Sequence, residues 1–145
     1  MLVIVTQTGF FLKLANGIFL WTLHAQKTIA HFSTKAEYMV MSNCSHQVVW
    51  VHNLLAELGY HMDHIPLSGD NQGSIFIASN PVTESRSKHI DIHYHYIREV
   101  YEKGIVNIFF IEGNGNPANI FTKNLGEAKF IKFYSQLGLH FLRAA

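Results

Sequence analysis

The spacing of apolar and polar residues divides the chain into short strands followed by strand–helix alternation. Met1–Val5 is an unbroken apolar run rich in β-branched residues, the pattern of a buried strand. Gly9–Leu14 and Gly17–Leu23 are two more strand patterns, rich in Phe, Ile and Leu. Ala15-Asn16-Gly17 between them signals a hairpin, because Asn-Gly tolerates the positive φ of a tight turn. Ile29–Phe32 fits a further short strand. Ala36, Val40, Cys44, Val48, Val51, Leu55 and Leu58 then recur every three or four positions, painting one stripe over about six helical turns. Ser33 or Thr34 stands at the N-cap, Glu37 completes a capping box three residues beyond Thr34, and Gly59 closes the helix.

In the second half, the apolar run His64–Leu67 ends on Asp70, and a helix-like segment with Ile75, Ile77 and Ala78 begins at once. Asn80-Pro81 breaks it. A polar loop carrying Arg86, Lys88 and His89 leads to a helix that starts near Asp91, buries Ile90, Ile97, Val100 and Tyr101, and ends at Gly104. Ile105–Ile111 reads as a strand, Pro117 opens a short helix, and Ala128–Leu139 is a terminal amphipathic helix. A run of strands followed by strand–helix units predicts an α/β fold, a mixed sheet with helices on its faces. Phe10, Phe11, Phe19 and Trp21 are the expected core of that sheet.

Composition narrows the class without naming a function. A chain of 145 residues with 48% apolar and 14% charged residues is expected to form one domain, residues 1–145, with a real core. A net charge of +1 supplies no strong field toward nucleic acid or membrane. The lone Cys44 rules out an internal disulfide and fits a reducing, intracellular setting, cytoplasmic or nuclear. No apolar run approaches the roughly 20 residues that span a bilayer, and MLVIVTQTGFF lacks a basic leader, so no membrane partner is expected.

Three features carry candidate chemistry, each with a plainer reading beside it. A carboxylate at a strand end with a helix starting next to it, as at Asp70, can hold a metal or a reacting phosphate, or can simply cap the helix. Glu37 belongs either to such a site or to its own capping box. Arg86, Lys88, Arg98 and Lys103 form either a phosphate-contacting edge or a solvated face.

The strings STKAEYMVMS, SGDNQGSIFIASNP, SKHIDIHYHYIRE and NPANIFTKNL, in that order and with TGFFLKLANGIFLWTLHAQKT upstream, add a resemblance. They resemble the RNase H domain of copia-type LTR-retrotransposon Pol polyproteins over about residues 8–139. The resemblance implies an RNase H-like fold, a five-stranded mixed sheet flanked by helices. It also implies cleavage of the RNA strand of an RNA–DNA hybrid with Mg2+ or Mn2+ and no small-molecule cofactor, beside the reverse transcriptase portion of the same polyprotein. Such a site clamps the scissile phosphate between two ions about 3.5–4 Å apart, held by four acids. Glu37 and Asp70 match two of these and are the implied catalytic residues and metal ligands. Asn119 stands where the last aspartate would be, and Arg86, Lys88, His89 and Arg98 are the implied nucleic-acid contacts.

The first acid has no counterpart, since Glu37 is the first acid in the chain. The first strand is therefore expected to be missing or replaced by Met1–Gln7. Met1–Val5 then either pairs in the gap or continues into Gly9–Leu14 as one lengthened strand, and the poor turn chemistry of Gln7-Thr8 favours the latter. Unit charges 4 Å apart interact by about 4 kcal/mol at an effective dielectric of ~20, and about 1.4 kcal/mol is tenfold in rate. Losing half of the acids is expected to impair catalysis by several orders of magnitude. The alternatives are an active nuclease completed by an adjoining segment, and a nucleic-acid- or protein-binding remnant that does not cut.

Overall fold

The computed structural model describes residues 1–23, 33–80, 92–121 and 123–140. Five strands form one mixed sheet in the order β3-β2-β1-β4-β5: β1 Leu2–Val5, β2 Gly9–Leu14, β3 Gly17–Leu23, β4 Ile65–Gly69 and β5 Val106–Phe110. The first three make an antiparallel meander, and β4 and β5 add in parallel beyond β1. Parallel neighbours need crossover connections. Helix α1 (Ser33–Glu57) lies in the β3–β4 connection. Helix α2 (Gln72–Ser79), the 3₁₀ turn Ile92–His95 and helix α3 (Tyr96–Glu102) lie in the β4–β5 connection. A 3₁₀ segment, Pro117–Phe121, and helix α4 (Glu127–Gln136) follow β5.

The expected α/β architecture, a five-stranded mixed sheet flanked by helices, is what the chain forms. Of the two expectations for Met1–Val5, pairing in the gap is what the chain does, and the favoured merger with Gly9–Leu14 is corrected. Leu2–Val5 is a separate strand in the middle of the sheet, pairing Val5 with Phe10 on one side and Ile4 with Ser68 on the other. The reversal that looked chemically poor is made by threonine. The Thr6 hydroxyl donates to the Gly9 carbonyl at 3.1 Å and its amide donates to the same oxygen at 2.8 Å. The Thr6 hydroxyl also accepts the Thr8 amide at 3.4 Å. A hydroxyl that bonds its own backbone a residue or two away substitutes for Gly or Asn in a turn.

The two sheet faces bury separate clusters. On one, α1 and α3 cover Val3, Val5, Phe10, Leu12, Ile65, Leu67 and Val106 with Tyr38, Met41, Cys44, Val48, Val51, Ile97 and Val100. The α1 stripe is as expected from Ala36 to Val51, with Leu55 half-buried, but Leu58 lies past the helix end and is exposed. On the opposite face, Ile4 and Phe11 pack under Ala118 and Leu137, and Phe121 meets Phe11 edge-on at 6.1 Å. Phe10 and Phe11 are core as expected. Phe19 and Trp21 are not: β3 is an edge strand, and they are 46% and 62% exposed on its outer positions.

The β2–β3 hairpin also differs in detail. Leu14 pairs with Gly17, so the turn is Ala15-Asn16, and the positive φ (52°) falls on Ala15. The far end of α4 is seated on this hairpin. Gly138 has φ +74°, and a Cβ there would lie 1.6 Å from the Asn16 carbonyl oxygen, so only glycine fits. The Lys13 ammonium donates to the Gln136 carbonyl at 2.5 Å, a cation at a helix C-terminus. The expected strand Ile29–Phe32 and the expected burial of Ile90 lie outside the described residues. Among the described residues no helix is long and apolar enough to cross a membrane.

Candidate active site: a carboxyl pair at the end of β4

Strand β4 delivers Asp70 to the top of the sheet, and α1 delivers Glu37 beside it. Glu37 is wholly buried. Its Oε1 accepts the Asn71 amide at 3.2 Å and faces the Ser74 hydroxyl at 3.1 Å. Its Oε2 is buried with no hydrogen-bond partner, and the Asp70 carboxyl lies close enough to disfavour the charged form of Glu37. Burial first, then the neighbouring Asp70 carboxyl, push the Glu37 carboxyl up to about 8, against the opposing donors Asn71 and Ser74. Glu37 is therefore the protonated acid of the pair at neutral pH.

The SGDNQG string reads residue by residue as the cradle of this pair. A Cβ at Gly69 would sit 2.4 Å from Glu37 Oε1 and 2.7 Å from the Met41 methyl, so glycine lets the α1 carboxyl reach the strand. Asn71 caps α2: its Oδ1 accepts the Ser74 amide at 3.0 Å and the Thr34 hydroxyl at 3.0 Å. The capping reading of Asp70 is thus excluded, because its neighbour holds that role. The capping-box reading of Glu37 is corrected too, since its carboxyl turns to α2 and the Thr34 hydroxyl bonds Asn71.

Asn119, expected beside the pair, is buried. Its amide donates to the Gly113 carbonyl at 2.6 Å, which ties the two ends of the post-β5 loop together. The residue in contact is Asn116. Wholly buried, it donates to Asp70 Oδ2 and to the Val5 carbonyl, each at 3.3 Å, and its Oδ1 accepts the Ala118 amide at 3.0 Å. Asn116 thus links β1, Asp70 and the 3₁₀ segment. An Asn directly before a Pro at a helix start is the sequence signal that would have found it.

Of the expected nucleic-acid contacts, Arg86, Lys88 and His89 lie outside the described residues. Arg98 is half-buried, and its Nε donates to the Ile77 carbonyl at 3.0 Å, tying α3 to α2. Lys103 pairs with Glu99 one turn earlier at 2.5 Å. Among the described residues no group of three or more His, Cys, Asp and Glu side chains is arranged to hold a metal ion.

The chain aligns along most of its length with three curated proteins. Its homologues are retrovirus-related Pol polyproteins of plant transposons. The Pol polyprotein from transposon TNT 1-94 of Nicotiana tabacum is 31% identical over 135 residues, 93% of this chain. Those from transposons RE2 and RE1 of Arabidopsis thaliana are 32% and 33% identical over 136 residues each, again 93% of the chain. The chain spans only about a tenth of the length of these relatives, 9–10%. No family model matches the chain. No solved structure matches it either.

Proposed function

We propose that this chain is the RNase H-like domain of a copia-type retrotransposon Pol polyprotein, with a reduced carboxyl set that leaves hybrid cleavage impaired. The observation that carries the reading is the convergence of Glu37 from α1 and Asp70 from the end of β4 beside a central β1, in a β3-β2-β1-β4-β5 sheet. Alignment with the transposon Pol polyproteins over 93% of the chain supports the origin. The proposed substrate is an RNA–DNA hybrid, the proposed neighbour the reverse transcriptase portion of the same polyprotein, and the proposed setting intracellular.

The donor set fits one divalent cation better than two. The buried Glu37 Oε2 has no donor, and the Asp70 charge acts on Glu37, so the pair would hold one Mg2+ or Mn2+ by hard anionic oxygens. Bound there, the ion would supply positive charge to a scissile phosphate. A pair of ions brings four positive charges against at most two negative ones. Glu37 must also lose its proton before it can bind a cation, and its burial opposes that loss. The chain's own part is orientation: Asn71 and Ser74 fix Glu37 Oε1, and Asn116 fixes Asp70 Oδ2.

The test is an RNA–DNA hybrid cleavage assay on the chain with Mg2+ and with Mn2+, run beside Asp70→Asn. The expected result is no measurable cutting by either protein. Cutting of the RNA strand by the unmodified chain, abolished in Asp70→Asn, overturns the impaired reading.

A further inference from the structure

The seam between α1 and the segment running from the 3₁₀ turn Ile92–His95 into α3 is built on a buried phenol. Tyr38 is wholly buried, and its only hydrogen-bond partner among the described residues is His95 Nδ1, at 2.5 Å. The two rings tilt against each other with centroids 5.6 Å apart. His95 is the residue before α3, where its side chain makes no capping bond. One step further along the seam, His46 of α1 stacks flat on Tyr96 at 4.1 Å. Arg98, one turn along α3, is close enough for its charge to act on both Tyr38 and His95. Helix α2, also packed on α3, contains no ionisable residue.

Chemistry selects the direction of the hydrogen bond. If His95 Nδ1–H donated to the phenol oxygen, the Tyr38 O–H would be a buried donor without an acceptor, which is unfavourable. If Tyr38 donates, His95 is the neutral Nε2–H tautomer and its half-buried Nε2 can reach water. Protonation at Nδ1 then removes the acceptor, leaves the phenol unsatisfied in the core, and sets a second cation beside Arg98. We propose that the Tyr38–His95 bond is a pH-operated latch that docks the Ile92–Glu102 segment on α1 when His95 is neutral and releases it when His95 is protonated. The cost of burial and the Arg98 charge both hold His95 below the usual imidazole range, so the latch is closed near neutrality.

The experiment is native-state amide exchange on the whole chain, comparing protection factors at about pH 5.5 and about pH 7.5. Amides of Ile97–Tyr101 should lose at least about tenfold in protection on acidification, while β1 and β4 amides keep theirs. In His95→Gln, which still offers an acceptor but does not titrate, the loss should vanish. An equal loss in the variant, or none in the original chain, overturns the proposal. Should His95→Gln not fold, Tyr38→Phe serves: with the donated bond gone, the His95 imidazole followed by NMR should titrate at higher pH. An unchanged titration there overturns the proposal as well.

Discussion

Glu37→Gln should make the protein more stable, and increasingly so as pH rises. Glu37 is buried, its Oε1 is satisfied by Asn71 and Ser74, and its Oε2 has no hydrogen-bond partner. Its carboxyl titrates near 4.5 in the unfolded chain and is pushed up to about 8 in the folded one. Between those values the folded state holds a proton that the unfolded state has lost. The contribution of the protonated acid is therefore complete below 4.5 and declines by about 1.4 kcal/mol per pH unit until the folded group ionises. Over the whole window that amounts to a loss on the order of 5 kcal/mol at most, a large share of the ~5–15 kcal/mol that stabilises an ordinary domain.

Glutamine keeps the Oε1 acceptor, places N–H donors toward Asp70, and never ionises. Urea denaturation of both proteins in EDTA, across about pH 5 to pH 9, reads the difference as a shift in midpoint at constant slope. The curves should coincide within about 1 kcal/mol at the acid end and diverge to a few kcal/mol at the alkaline end. A difference independent of pH, or a glutamine variant that falls further behind as pH rises, would refute the protonated state of Glu37. Adding Mg2+ should narrow the gap only if the original chain binds the ion there.

Four further outcomes follow from the same geometry. Ala15→Gly should raise stability by about 0.5–1 kcal/mol, because Ala15 holds φ at 52°, and a thermal melt should rise by a few degrees. Gly69→Ala should force the Glu37 carboxyl away from β4, costing about 1–3 kcal/mol by denaturation and lowering the Glu37 titration seen by carboxyl NMR. Asn116→Ala should cost about 2–3 kcal/mol, since the buried Val5 carbonyl and Asp70 both lose a donor. Val5→Asp with Asn119→Asp should make stability depend on Mg2+, by about 2.7 kcal/mol when the ion stands at 100 times its dissociation constant, whereas the original chain should show a smaller rise at the same Mg2+. Val5 is chosen because the β1–β4 register sets it beside Gly69, on the sheet face toward which Glu37 reaches.

The strands and helices were legible because their periods are strong: the six-residue run Gly9–Leu14, the α1 stripe through Val51, and the apolar β4 and β5 all appear where the pattern sets them. What the pattern missed depends on side chains acting on backbone. The Thr6 hydroxyl makes a turn that composition alone does not advertise. Phe19 and Trp21 are apolar enough for a core, but strand order, which no local period encodes, leaves them at the edge. Within the site, Glu37 and Asp70 were visible as motif residues. Asn116 was not: it looks like loop punctuation before Pro117, and only the tertiary path of the loop brings its amide to Asp70 and Val5.

The paired carboxyls do not by themselves imply a working catalyst, because the same two residues hold the fold together. Glu37 Oε1 joins α1 to the first turn of α2, and Asp70 joins the end of β4 to the loop after β5 through Asn116. With Glu37 protonated, the buried pair carries no second negative charge for a cation to balance. A buried acid without a cation costs little while it keeps its proton, and replacing it by an apolar residue would strand the Asn71 amide and the Ser74 hydroxyl. The arrangement thus has a structural reason to persist whether or not the domain cuts. The same geometry leads us to expect no recovery from Asn119→Asp alone, because the side chain at that position is engaged with Gly113 and β1 would still present Val5.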